Sequence, residues 1–143
     1  MLLVPRFIWE FFLLLRIIFC IFVKIINKKN KKDMAFIREI SNVNEYKEII
    51  NTKGSIICVK FSASWCGPCR VLTDTIKNID TEKVNDVIFA EINIENEEFD
   101  NICAELGIRG IPVLAYYKDG ELKDKTTGLQ SEDAIISKIE TLR

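Results

Sequence analysis

Two cysteines three residues apart, in Trp65-Cys66-Gly67-Pro68-Cys69, are the side chains of this sequence best suited to chemistry. That spacing serves half of a metal site, a structural crosslink or a reversible dithiol–disulfide switch. A zinc site draws four ligands from Cys, His and carboxylates. The chain has no histidine, and its other cysteines (Cys20, Cys58, Cys103) are distant in sequence. No metal ligands and no bound cofactor are therefore expected, and Cys–His nucleophilic catalysis is excluded. A purely structural bridge is an odd use of an exposed strand-to-helix corner. The redox switch is the reading these residues favour.

The stretch "VKFSASWCGPCRVL" (residues 59–72) shows how a switch would be built. An apolar run ends and a helical pattern begins at the cysteines. Residues i and i+3 on a first helical turn face the same side, which brings two sulfurs within bonding range. Cys66 falls at the helix N-terminus, where unpaired N–H groups and the dipole favour a thiolate. Only the thiolate attacks, so Cys66 is the expected nucleophile and Cys69, one turn in, the resolving thiol. Pro68 is tolerated because a first-turn N–H has no helical partner. Gly67 is expected to permit a tight turn into the helix and to leave the sulfur approachable. Trp65 reads as a lid beside Cys66 rather than as core filler.

The elements that must hold this corner follow from periodicity. "AFIREI" alternates like a short strand, and "NVNEYKEIIN" places Val43, Tyr46 and Ile49 at helical spacing. "SIICVKFS" is an almost unbroken β-branched run, as a strand covered on both faces would be. A helix follows from Pro68, with Leu72, Ile76 and Ile79 on one face, and "DVIFAEINI" is the next strand. "EEFDNICAELG" reads as one helix with Phe99, Ile102, Cys103 and Leu106 on its stripe and Gly107 as its stop. A hairpin turns at Asp119-Gly120, and Ser131 caps a last helix. The order β-α-β-α-β-α-β-β-α predicts an α/β fold, a central mixed sheet flanked by helices on both faces. Cys58 and Cys103 are expected to be buried small hydrophobes.

Residues 1–33 differ in kind. They hold seven Lys/Arg against Glu10 and Asp33, a net +5, and leave residues 34–143 at −6. An acidic domain without a basic patch gives no footprint for nucleic acid. Phe7 to Ile26 is long enough to cross a bilayer, which takes about 20 apolar residues, though Glu10, Arg16 and Lys24 lie within it. On a helix these charges, with Arg6, Cys20, Asn27 and Lys28, fall in an arc of roughly 120°. The segment is expected to be either a hydrophobic helical anchor or the product of a wrongly assigned start, with Met34 the true one. As an anchor, its trailing "NKKNKKD" would leave the downstream domain in the cytosol. Five irregularly placed cysteines also suit a reducing compartment better than a secreted disulfide framework. The expected division is residues 1–33 as this segment and 34–143 as the domain.

From about Ala35 to Arg143 the sequence resembles the thioredoxin family. "WCGPC" matches that family's active-site motif as it stands, and "GIRGIPVLAYYKDGE" (residues 107–121) matches the segment carrying its cis-proline. The resemblance implies the thioredoxin fold and a monomeric protein-disulfide reductase. It implies protein disulfides as substrates and NADPH-dependent thioredoxin reductase as electron donor. Trp65, Ile111, Pro112 and Gly128 would line the substrate groove beside Cys66. Two rivals stand beside this reading: an anchored thiol-disulfide protein facing outward, and a redox-independent binding module on the same scaffold.

The sequence departs from the family at Lys60 and Glu91. Relatives usually carry a buried Asp at the first position, where it helps take the resolving thiol's proton, and a Lys at the second. Neighbouring central strands should carry the two residues, so a swapped ion pair is expected, rather than a Lys60 that snorkels outward. A charged Lys60 would favour thiolate and a more oxidising protein, whereas a neutral one would act as a base. Ser62 and Asp74 stand where relatives commonly carry Trp and Pro, which should soften packing and straighten the active-site helix.

Overall fold

The computed structural model describes residues 35–143. The apolar, basic stretch read above as an anchor or a wrongly assigned start, and the Met34 seam, lie outside the described residues. Along the chain come β1 (Ile37–Glu39), α1 (Val43–Ile50), β2 (Ile56–Ser62), α2 (Gly67–Asn78) and β3 (Val87–Asn93). A 3-10 turn (Glu97–Phe99), α3 (Asp100–Glu105), β4 (Val113–Lys118), β5 (Glu121–Thr127) and α4 (Glu132–Leu142) complete it. The five strands lie in the order β1-β3-β2-β4-β5. The first three run parallel, and β4 and β5 are antiparallel to their neighbours. This is the mixed sheet the sequence predicts, and it is the thioredoxin fold. Among the described residues no helix is long and apolar enough to cross a membrane.

All seven residues of β2 are buried, because helices cover both faces of the sheet at its centre. Side chains alternate between faces with period two. Ile57, Val59 and Phe61 therefore join the core under α1 and α3, with Tyr46, Ile49, Phe99 and Ile102. Ile56 and Cys58 join the opposite core, with Leu72 and Ile76 of α2 and Ile135 and Ile139 of α4. The same parity sends Lys60 and Ser62 to the α2 side. Cys58 is fully buried, and that burial pushes its thiol well above the ordinary range. Cys103 is only half-buried, which corrects the expectation made for it.

The helices begin where capping residues stand. Asn42 accepts the Glu45 N–H at 2.9 Å, and Glu45 reaches back to the Ser41 N–H at 2.9 Å, a reciprocal arrangement close to a capping box. Ser131 accepts from the Ala134 N–H at 3.2 Å. The single helix expected from Glu97 is instead two pieces, a 3-10 turn and then α3. Asn96 takes the Glu98 N–H, its carbonyl takes the Phe99 N–H at 3.0 Å, and Phe99 is driven into the core. Gly107 ends α3 at φ +61°, as its type predicts. Asp119 (φ 56°) and Gly120 (φ 89°) both adopt left-handed backbone, the type I′ geometry that suits the right-handed twist of a two-residue hairpin.

Three surface carboxylates tie distant elements and titrate low. The Ser41 N–H and then Arg38 hold Glu45 below the usual range, Arg143 does the same for Asp86, and Lys138 for Asp124. A folded-state value below the unfolded one adds stability above the unfolded pKa and loses it as pH falls through the folded pKa. The thermal midpoint, followed by circular dichroism, should be level above about pH 5 and fall progressively toward pH 2. Arg143→Ala should make that acid limb shallower, and an unchanged limb would exclude the Asp86–Arg143 contribution.

Candidate active site

The corner between β2 and α2 is held by hydrogen bonds to its own backbone. The Cys66 N–H donates to Ala63 O at 3.2 Å, and the Ser64 N–H donates to the Glu95 carboxylate at 2.8 Å. Arg70, one turn into α2, donates to Ser64 O at 3.2 Å. The loop is thus held from β3's exit and from its own helix. Glu95 is drawn below the usual carboxylate range, first by the Ser64 N–H.

Cys66 is the N-cap of α2. Its backbone is extended (φ −84°, ψ 103°), and its sulfur accepts the Cys69 N–H at 3.2 Å. The two sulfurs are bonded at 2.15 Å with Cα atoms 5.3 Å apart, as the i, i+3 spacing predicts. Cys66 is 4% and Cys69 2% exposed, whereas Trp65, Gly67 and Pro68 around them are exposed. Trp65 is not core filler. At Gly67 φ is not positive, and a Cβ there would meet nothing within 4 Å. The turn does not demand glycine; the missing side chain leaves open space at the helix head.

The Ile111–Pro112 peptide is cis, as the resemblance implies. Ile111 and Ile94 pack against the small cluster of Ala63, Cys66 and Cys69. The Gly128 N–H donates to Pro112 O at 2.8 Å, and Gly128 holds φ +87°. An L side chain at that φ costs about 1–2 kcal/mol. Gly128→Ala should therefore lower the thermal midpoint by about 4–16 °C at roughly 4–8 °C per kcal/mol. A midpoint within a degree of wild type would show that the backbone relaxes freely there.

Behind the disulfide lies the Lys60–Glu91 pair. The parallel register sets Lys60 opposite Glu91, and Lys60 Nζ stands 2.9 Å from Glu91 Oε1. Lys60 is 1% exposed, so it does not snorkel, while the Glu91 side chain is 30% exposed. Lys60 also donates to Thr73 Oγ1 and, at 3.4 Å, to Cys69 O. Ser62 donates to the same Glu91 oxygen, and Thr73 to Cys69 O at 3.0 Å. Asp74 is exposed, and α2 runs through it without interruption. Sequence reasoning missed Thr73, Arg70 and Glu95. The first was findable: Thr73 lies four residues after Cys69, hence on its face of the helix.

Among the described residues no cluster could hold a metal ion. A cysteine pair at the head of the helix that follows the central strand of a mixed sheet, beside a cis-proline, defines a thiol–disulfide oxidoreductase. The thioredoxin family model matches residues 37–141, and the chain belongs to the thioredoxin family. It is 39% identical to the thioredoxin of Rickettsia felis over 90 residues, 63% of this chain and 83% of that protein. Identity to the thioredoxin of Coprinus comatus is 35% over 94 residues, 64% of this chain and 85% of that one. The X-ray structure of Fasciola hepatica thioredoxin superposes with a TM-score of 0.65 at 26% identity, covering 75% of this chain and 100% of that one.

Proposed function

We propose that this oxidoreductase works as a reductase of protein disulfides, with Cys66 as nucleophile and Cys69 as resolving thiol. The observation that carries the assignment is the Cys66 sulfur at the N-cap of α2, accepting the Cys69 N–H at 3.2 Å. A donor already aimed at that sulfur stabilises negative charge on it, and the helix dipole adds to the effect. In the reduced protein the Cys66 thiolate attacks one sulfur of a substrate disulfide. A Cys66–substrate bond forms, and the second substrate sulfur leaves as thiolate and takes up a proton. Cys69 then loses its proton and attacks Cys66 Sγ, which releases the first substrate sulfur. Two electrons have passed to the substrate, and the Cys66–Cys69 disulfide remains.

Membership of the family supports disulfide-bearing proteins as substrates and a reductase as partner. The particular donor we propose is NADPH-dependent thioredoxin reductase, acting on a monomer without a bound cofactor. Trp65, Ile111, Pro112 and Gly128 are assigned to the substrate groove, and Gly67 and Pro68 to the shape of the helix head. A cytosolic location suits the reducing chemistry; residues 1–33, if translated and inserted, would tether the domain there. Protease accessibility on intact cells separates this from an outward-facing domain, which would be cleaved.

The decisive test is insulin reduction by the full chain with dithiothreitol or reductase as donor. Cys66→Ser should reduce the rate to the uncatalysed background. Retention of wild-type activity would remove the catalytic assignment and leave the binding-module reading.

A further inference from the structure

Lys60 is the most buried charged side chain of the described residues, and nothing in the disulfide-exchange steps above uses it. Its Nζ has three acceptors, one for each ammonium N–H: Glu91 Oε1, Thr73 Oγ1 and Cys69 O. An ammonium supplies a donor to each, and its 2.9 Å partner is the Glu91 carboxylate, which a charged Lys60 pairs and a neutral amine would not. The site is built for the cation.

The pair is also oriented. Lys60 makes the contacts to α2, through Thr73 and the Cys69 carbonyl, whereas Glu91 lies on β3 and reaches toward solvent. Ser62 holds Glu91 from the strand side, and β4 contributes only Leu114 opposite Lys60 in register. The positive end of the pair therefore faces the helix turn that carries the cysteines, and the negative end faces away. We propose that Lys60 is a positioning residue that stabilises the thiolate form of the Cys66–Cys69 pair and makes this protein a more oxidising dithiol than it would be without that charge. The proposal rests on the exchange reaction assigned to these two cysteines.

The sign follows from charge. The disulfide is neutral, and the reduced pair carries a thiolate. A nearby cation favours the thiolate, lowers the thiol pKa and stabilises the reduced form, which raises the reduction potential. Lys60 as ammonium cannot accept the Cys69 proton, so that proton leaves to the departing substrate thiolate or to water.

The test is the full chain, wild type and Lys60→Met, equilibrated with glutathione redox buffers, together with the pH profile of Cys66 alkylation by iodoacetamide. Methionine keeps the length and removes the charge. The alkylation pKa should rise by about one unit, and in buffers well above that raised pKa the equilibrium should shift about tenfold toward the disulfide, close to 30 mV more reducing. Should Lys60→Met fold poorly by circular dichroism, Lys60→Met/Glu91→Gln removes both charges together and should shift both readouts in the same direction, by less. Folded variants with wild-type pKa and equilibrium, or with shifts of opposite sign, overturn the inference. A flat Lys60 series in a protein that still reduces insulin sinks this inference alone; a wild type that does not reduce insulin sinks the exchange reading.

Discussion

Cys69→Ser should stop turnover while capturing substrates covalently. Cys66 remains at the head of α2, and the backbone N–H of residue 69 that it accepts survives the substitution. Attack on a substrate disulfide and loss of the first thiolate therefore proceed. The second exchange has no sulfur to perform it, since a serine hydroxyl stays protonated and does not cleave a disulfide. Steady-state insulin reduction should fall by about a thousandfold or more, as when one member of a catalytic unit is removed. A mixed disulfide through Cys66 should accumulate, visible as a mass increase that dithiothreitol removes. Wild-type turnover in Cys69→Ser, or a variant that never forms the adduct, would reverse the assigned order of the two thiols.

The second large effect is an asymmetry between the partners of the buried pair. Removing one partner of a fully buried ion pair costs about 3–5 kcal/mol, because the other charge is stranded. Glu91→Ala strands the Lys60 ammonium, which is 1% exposed. Water reaches the site through the Glu91 position, itself 30% exposed, so the cost should be nearer 2 kcal/mol. For a domain of this size that is a fall of about 8–15 °C in thermal midpoint. Lys60→Met strands only the more exposed carboxylate, still held by Ser62, and fills the apolar space left by the lysine stem. Its stability should lie within about 1 kcal/mol of wild type, because the carboxylate left without a partner keeps access to water. Equal losses in both variants would mean that the pair acts through shape rather than through charge.

That pair also marks the border between what the sequence makes legible and what it does not. The switch from a β-branched run to a helical stripe at Cys66 was enough to place a strand end, a helix start and two sulfurs one turn apart. Asp119-Gly120 announces the hairpin because few residues other than Gly, Asn and Asp tolerate its left-handed φ values. Parity along β2 and β3 makes Lys60 and Glu91 plausible neighbours. At Gly67 the structure shows open space where a side chain would stand and no left-handed φ. The 3-10 turn and α3 are indistinguishable from one helix in the sequence, because a three-residue tightening leaves the apolar spacing almost unaltered.

Local chemistry, then, settled by itself the element order, the cysteine pair and its capping position, since each depends on residues within a turn or two of one another. Only the tertiary structure decided that Lys60 is buried, that it faces Cys69's helix turn, and that Thr73 and Glu91 receive its hydrogens. It also decided that Glu95 holds the active-site loop and that Gly128 bonds the cis-proline's carbonyl. Those facts depend on contacts between segments from 9 to 31 residues apart in sequence, and no local pattern encodes which side chain a folded sheet will bring to which.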